Sequence, residues 1–260
     1  MSDTGKTISP NAKDALALSL KDGDISQESH EIMVQNLDTM ALYNVQHVSP
    51  DDMSEDRVTL VIPVIDCTGS RRLQADLMRE EYNKMLRAFE KSSEHETILV
   101  SGWLFGARSK LLHGFVHLQD AVRLDTANYN PDGETALFDA VLDVATITQP
   151  YVKTLVEAGW RVKVVVAVLT DGEDNSSRNS VDTVRRVVED LLKQEIYVFG
   201  LTAFGTGFGQ EAAEAMGFPK KNVAEFGRDE QGIRHGFELN SSSVIRQSQT
   251  QIGDSTSFFN

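Results

Sequence analysis

The sequence predicts a doubly wound α/β fold: a mostly parallel six-stranded sheet in the order 3-2-1-4-5-6, with one antiparallel edge strand and helices on both faces. Three observations predict it. From residue 58 onward, apolar runs of strand length alternate with segments of helical spacing, which implies parallel strands joined by crossover helices. Two of the runs, residues 58–66 and 161–170, are nearly continuously apolar, as strands buried on both faces must be. Each of these runs closes on an acidic, glycine-containing turn, Asp66-Cys67-Thr68-Gly69-Ser70 and Asp171-Gly172-Glu173-Asp174-Asn175.

The elements follow in order. Residues 58–66 form the first strand, and Pro63 inside it predicts a bulge or local break, because proline removes a ladder donor. Residues 72–90 carry Leu73, Leu77, Met78, Tyr82, Met85, Leu86 and Phe89 at helical spacing. Residues 97–105 and 111–118 are two strands joined by a short Gly-Ala-Arg-Ser loop, an antiparallel hairpin. Residues 135–148 are helical, with a second helical piece after Pro150. Residues 161–170 are the fourth strand, 180–193 a helix, 196–202 a strand, 210–216 a short helix, 222–226 a strand and 232–247 the last helix. Residues 1–57 differ from the rest, with eleven acids against four bases. Within this acidic extension, residues 25–43 read as one helix capped by Asp24, docked on the domain or on a partner, with flexible flanks. The folded domain spans 58–250, and 251–260, rich in Ser, Gln and Thr, reads as a flexible tail.

Bulk composition narrows the partners. Aspartate and glutamate number 39 against 25 lysines and arginines, a net charge of −14. Affinity for a phosphate backbone comes from cations that displace counterions, so nucleic acid and anionic membranes are poor partners, while cations are attracted. The single cysteine, Cys67, permits no internal disulfide. No apolar run reaches the roughly 18 residues of a membrane span, and the polar first thirty residues hold no signal-peptide core. The default is a soluble cytoplasmic protein.

In the order 3-2-1-4-5-6 the first and fourth strands are neighbours, and the crevice at their carboxyl ends is the usual ligand site. That topology brings together Asp66 and Asp171, more than a hundred residues apart. Thr68 and Ser70 lie on the turn after Asp66, and alternate residues there can aim hydroxyls at one point. Thr135, in Gly133-Glu134-Thr135-Ala136-Leu137, opens a helix at the same edge. Two carboxylates and three hydroxyls are hard oxygen donors, a set that suits Mg²⁺, with Mn²⁺ second, over Zn²⁺ or Cu²⁺. So few direct carboxylates would leave the ion electrophilic, with a position open to a carboxylate from another molecule.

These residues resemble the von Willebrand factor type A (vWA) and integrin I-type domains. That family carries a metal-ion-dependent adhesion site (MIDAS): Asp-x-Ser-x-Ser after the first strand, a distant Thr, and an Asp after the fourth strand. Asp66, Thr68, Ser70, Thr135 and Asp171 match it, and Gly-x-Thr-Ala-Leu-x-Asp-Ala-Val and Leu-Thr-Asp-Gly-x-Asp-Asn are similar to its wider signatures. The resemblance covers residues 58–250. It implies that Thr68 and Ser70 ligate the metal directly, and Asp66, Thr135 and Asp171 directly or through water. It also implies a non-enzymatic module whose ion takes an Asp or Glu of a partner protein. Thr68 stands where serine is usual, which keeps the hydroxyl and predicts altered affinity rather than loss. Arg71 and Arg72 replace an apolar residue, placing positive charge beside an acidic ligand.

Simpler readings compete. Asp66 and Asp171 could be helix caps, but five groups at one switch point favour the metal. Cys67 reads as an inert small apolar residue. His113 and His117, four apart on a strand, lie about 13 Å from each other, too far to share a metal. The run Gly205 to Gly209 lacks the spacing of a dinucleotide loop and reads as a flexible loop. Trp103 and Trp160 pack. An alternative function is a Mg²⁺-dependent phosphohydrolase of the haloacid dehalogenase-like type, with Asp66 as nucleophile and Asp171 and Asp174 holding the metal. It lacks a lysine loop and a cap insertion, and leaves residues 133–141 unexplained. A third reading is a structural domain whose partner contacts come from the N-terminal helix.

Overall fold

The computed structural model describes residues 12–40, 45, 47–53, 56–205, 207–250 and 257–259. Its strands are β1 (Arg57–Asp66), β2 (Ile98–Val100), β3 (Trp103–Phe105), β4 (Ser109–Leu111), β5 (Val116–His117), β6 (Arg161–Thr170), β7 (Tyr197–Phe204) and β8 (Val223–Phe226). Its helices are α1 (Ala12–Asp22), α2 (Gln27–Thr39), α3 (Ala75–Glu90), α4 (Leu137–Glu157), α5 (Val181–Lys193), α6 (Gly209–Ala215) and α7 (Glu230–Gln249). The α/β class is as expected. β1 and β6 lie side by side and in parallel, from Arg57 opposite Arg161 to Ile65 opposite Leu169. Residues of β1 and β6 alternate between two cores: Leu60, Ile62, Val64, Val164 and Val166 face α4 and α5, whereas Val61, Ile65, Val165 and Leu169 face α3 and α7. This period of two, with both faces covered by helices, makes the strands look uniformly apolar.

The strand count and order differ from the expectation. Among the described residues the sheet has eight strands, ordered β4-β3-β1-β6-β7-β8, with β2 paired to β1 and β5 to β2 off that path. The two strands expected at 97–105 and 111–118 each come in two pieces. Pro63 supplies part of the reason. β1 itself runs unbroken, without the expected bulge, and the interruption falls on its neighbour, between β2 and β3. Ser101 N donates to Val61 O at 2.9 Å, so Pro63, two residues further on, turns its missing donor toward the same neighbour. The gap is closed by side chains: Ser101 Oγ donates to His113 O at 3.0 Å and accepts from Trp103 Nε1 at 3.1 Å. Trp103 is buried as expected.

α4 is one helix rather than two, with Pro150 inside it. It is buried along almost its whole length, and Pro150 O accepts from Thr154 Oγ1 at 2.9 Å. Neighbours on every side hold the helix across the missing N–H.

The N-terminal extension is a two-helix hairpin, not a single helix with flexible flanks. α1 ends where Gly23 takes φ 82°, the left-handed conformation that suits glycine after a helix. Ser26, not Asp24, caps α2, accepting from Ser29 N. Asp24 instead pairs with Lys153 Nζ at 3.1 Å. α2 stops at Thr39, and the part of the expected helix over 41–43 lies outside the described residues. Leu16 and Met33 are fully buried under the hairpin. Polar bonds orient it: Asn36 Nδ2 donates to Asp143 Oδ1 at 2.8 Å and Gln149 Nε2 to Ser19 Oγ at 3.0 Å. The expected tail is corrected in part. Residues 251–256 and 260 lie outside the described residues, but Phe258 is fully buried. Among the described residues, no helix is long and apolar enough to cross a membrane.

Behind the hairpin, His47 stacks on Tyr151 with ring centroids 4.4 Å apart, and its Nδ1 accepts from Phe115 N at 3.0 Å. Burial pushes its pKa down from 6.5 to about 4. The fold therefore binds fewer protons than the unfolded chain between those values, and stability falls as pH drops through that window. The expected loss reaches about 3 kcal/mol, at roughly 1.4 kcal/mol per pH unit. Urea titrations at pH 7 and pH 4.5 should show this loss, and His47→Gln should flatten it; an unchanged pH slope in the variant would contradict the assignment.

Candidate metal centre

The carboxyl ends of β1 and β6 bring Asp66 and Asp171 together. Asp66 is the last residue of β1 and fully buried, and Asp171 follows β6 at 4% exposure. Asp66 binds the site together. Its Oδ1 accepts from Thr68 N at 2.8 Å, and its Oδ2 from Thr170 Oγ1 at 2.8 Å and Asp171 N at 3.2 Å. Its backbone O accepts from Tyr129 OH at 2.7 Å. Burial first, and the charge of Asp171 second, push the Asp66 pKa up. Two carboxylates this close, out of water, are a place where added positive charge is favourable.

The turn after Asp66 winds as a 3-10 segment over Gly69–Gln74. It sets Thr68 Oγ1 and Ser70 Oγ 2.9 Å apart, and Ser70 Oγ donates to Asp171 Oδ1 at 2.6 Å. The neighbouring loop comes close here: Gly69 N donates to Gly133 O at 3.1 Å, and a Cβ on Gly69 would stand 3.4 Å from that oxygen, an ordinary contact. The Gly133 loop carries Thr135, which reaches the turn after β6. Thr135 N donates to Asn175 Oδ1 at 2.8 Å and Thr135 O accepts from Asn175 N at 2.9 Å. Its hydroxyl lies 3.4 Å from the position a Cβ would take on Gly172. Hydrogen bonds thus link Asp66, Thr68, Ser70 and Asp171, and Thr135 stands alongside, one residue past Asp171.

The donor chemistry fits a small hard cation. In an octahedron with metal–oxygen distances of about 2.1 Å, adjacent oxygens stand about 3.0 Å apart. The Thr68–Ser70 and Ser70–Asp171 separations, 2.9 and 2.6 Å, are close to that edge before any ion draws the groups together. Ser70 is exposed whereas Asp66 and Thr68 are buried, so the approach is from the Ser70 side. Among the described residues, no group of three or more His, Cys, Asp or Glu is placed to hold a metal; a site here depends on its hydroxyls.

Several residues at the site were not read from the sequence. Thr170, Tyr129 and Asn175 supply the bonds just described. Asp174, considered above as a ligand, instead caps the start of α4, accepting from Phe138 N at 3.1 Å. Asn175 and Asp174 were within reach of sequence reasoning, since Thr170-Asp171-Gly172-Glu173-Asp174-Asn175 is one of the matched motifs; nothing in the local sequence marks Tyr129. Arg71 does put positive charge beside an acidic ligand. Its Nε lies 3.3 Å from Asp171 Oδ2, both side chains buried, and its guanidinium carbon sits 4.8 Å from the centroid of the Phe204 ring. Arg228 Nη2 donates to Asp171 O at 2.7 Å. Arg72 pairs instead with Asp132 on the surface. Cys67 is half-buried, and burial pushes its thiol up to about 11, which leaves it protonated and inert at neutral pH.

No family model matches the chain, and no curated protein does. Solved structures do. The PilB minor pilin from Streptococcus sanguinis has a TM-score of 0.53 at 13% identity, over 78% of this chain and 64% of that one. The pilus adhesin SpaC from Lactobacillus rhamnosus GG, in an open conformation, has a TM-score of 0.54 at 9% identity, over 75% of this chain and 31% of the adhesin. Proximal thread matrix protein 1 from the mussel byssus, with a zinc-occupied MIDAS motif, has a TM-score of 0.50 at 16% identity, over 74% of this chain and 46% of that protein. The chain spans less than two thirds of each of these proteins. The likeness is one of fold, and that fold is vWA-like.

Proposed function

We propose that this vWA-like chain is a metal-dependent protein-binding module, in which Asp66, Thr68, Ser70, Thr135 and Asp171 hold one Mg²⁺. Bound there, the ion would offer an open coordination position to an Asp or Glu carboxylate of a partner protein. The observation that carries the reading is the oxygen chain from Thr68 through Ser70 to Asp171, at 2.9 and 2.6 Å, over the buried carboxylate of Asp66. Support comes also from a fold neighbour, the byssus protein, whose own MIDAS motif holds zinc.

The chain's residues divide the work. Asp66 orients the turn through the Thr68 N–H and the β6 end through Thr170 and Asp171 N–H. Thr68 and Ser70 present hydroxyls without adding charge, which would keep the ion electrophilic toward an incoming carboxylate. Gly133, at φ 77°, turns the loop that carries Thr135, and its O accepts from Gly69 N. Leu73, at 96% exposure, stands on the rim beside Ser70 and would add an apolar contact for a partner whose acidic residue has an apolar neighbour. The reading assigns recognition rather than turnover, in a cytoplasmic setting.

Calorimetric titration with Mg²⁺ tests it. The wild-type chain should bind one ion, and Ser70→Ala and Asp66→Asn should each weaken binding at least ten-fold while circular dichroism and melting show a folded protein. Mg²⁺ binding that survives unaltered in both variants would sink the proposal. A pull-down with and without chelator then tests the partner, whose capture should depend on the metal.

A further inference from the structure

The far end of α7 has a feature unrelated to the metal centre. Residues 257–259 fold back along the helix and occupy a cleft between α7 and the β7–β8 side of the sheet. The Phe258 ring lies against Gly200, a glycine in the middle of a fully buried strand. A Cβ on Gly200 would stand 2.1 Å from Phe258 Cδ1, so the ring fits only because that side chain is missing. Glycine inside a strand weakens it and often marks a place where another segment of chain approaches closely.

The main chain of the segment is held by side chains from separate elements. Phe258 N donates to Asn222 Oδ1 at 2.7 Å. Asn222 is itself fully buried, and its Nδ2 is anchored on Phe199 O at 2.9 Å. Gln247 Nε2 donates to Ser257 O, and Arg246 Nη2 donates to Phe258 O. Phe259 closes the cleft edge-on, its ring centroid 4.5 Å from that of Phe258. The helix end that forms one wall is pinned separately, by Lys163 Nζ donating to Gln247 O at 3.2 Å and to Thr250 O at 3.4 Å. The wall therefore has anchors of its own that do not involve residues 257–259.

Main-chain bonds together with one side-chain pocket are how proteins hold extended peptides: the backbone bonds give affinity, and the pocket gives specificity. We infer that this cleft is a peptide-binding site for an extended Ser-Phe-Phe segment, filled in this chain by its own residues 257–259. The Gly200 pocket selects the first aromatic ring, and Asn222, Gln247 and Arg246 read the backbone around it. The segment is covalently continuous with α7, so it competes for the cleft as a tethered ligand, and a free copy of the segment takes its place once the tethered one is disabled.

The test uses the full chain carrying Phe258→Ala and a fluorescent peptide of residues 254–260, Asp-Ser-Thr-Ser-Phe-Phe-Asn, followed by anisotropy. The expected result is saturable one-to-one binding to the variant and at least ten-fold weaker binding to the wild-type chain, whose own segment competes at an effective concentration on the order of millimolar. A peptide with alanine for its first phenylalanine should not bind. A folded variant that fails to bind the peptide overturns the inference. In parallel, hydrogen exchange on the wild-type chain should show the Phe258 amide opening without unfolding of β7. If the variant does not fold and that amide exchanges only with the whole sheet, the segment is a fixed part of the core, and the inference fails equally. Neither readout involves the metal, so this outcome is separate from that of the Mg²⁺ titration.

Discussion

Replacing Asp171 with alanine is expected to cost the fold about 3–5 kcal/mol, the usual penalty for leaving one half of a buried ion pair behind. Arg71 is fully buried, and Asp171 is the carboxylate it pairs with. Among the described residues, none of its three side-chain nitrogens makes a hydrogen bond of good geometry. Its other close contact is the ring of Phe204, which contributes on the order of 1–2 kcal/mol as a cation–π pair. Burial lowers its pKa, but a guanidinium stays charged at any pH a protein tolerates. Without Asp171 the buried cation loses its ion-pair partner and keeps only the weaker influence of the Asp66 carboxylate. Arg71→Met together with Asp171→Ala should recover most of the loss, because a methionine of similar length fills the space on Phe204 without a charge to desolvate. Chemical denaturation of the two single variants and the double variant checks this. A double variant no more stable than Asp171→Ala would show that the cost does not come from the stranded charge.

Arg71→Met alone should tighten Mg²⁺ binding at least ten-fold. In the wild-type chain the guanidinium already neutralises part of Asp171 through Oδ2, while Oδ1 faces Ser70. A divalent ion held on the Oδ1 side would be repelled by the guanidinium on Oδ2, and charges of +2 and +1 within a few ångströms repel by several kcal/mol even at an effective dielectric of about 20. Part of that is recovered when the arginine is removed. The same change leaves Asp66 and Asp171 facing each other without a cation, so the variant should melt lower than wild type in chelator and regain stability as Mg²⁺ is added. Equal Mg²⁺ affinities for variant and wild type would remove Arg71 from the energetics of the site. On those two results the internal arginine would stand as a built-in monovalent partner of Asp171 when no metal is bound.

The legible parts of this molecule are those where period and turn chemistry agree. β1 and β6 are readable because both their faces are covered, and Asp66 and Asp171 because each ends such a strand. The meeting of Thr68 and Ser70 with Asp171 follows from neighbouring strands alone. What was not legible depends on long-range contacts. Arg71 is legible as positive charge beside an acidic ligand, but only the tertiary fold shows that it is fully buried against Phe204. Nothing local tells that Pro63 would interrupt the adjacent strand and leave its own intact. α1 carries a signal in Ala15, Leu16 and Leu20 followed by Gly23, but its short, half-polar face becomes convincing only once α4 is there to receive it. Phe258 is one aromatic among serines, threonines and glutamines, and a cleft between α7 and the β7–β8 side of the sheet at Gly200 is what orders it.

The hairpin of α1 and α2 has a consequence for how the molecule can be assembled with others. Asp143 accepts at once from Asn36 of the hairpin and from Ser109 of β4, and Asp190 of α5 accepts from Ser26 and Ser29. Directional bonds at both ends allow a single seating, where an oily interface would tolerate sliding. One flank of the domain is in this way permanently shuttered by its own chain. The crest around Ser70 and Leu73 stays exposed, on a domain whose α4–α5 side already has its occupant.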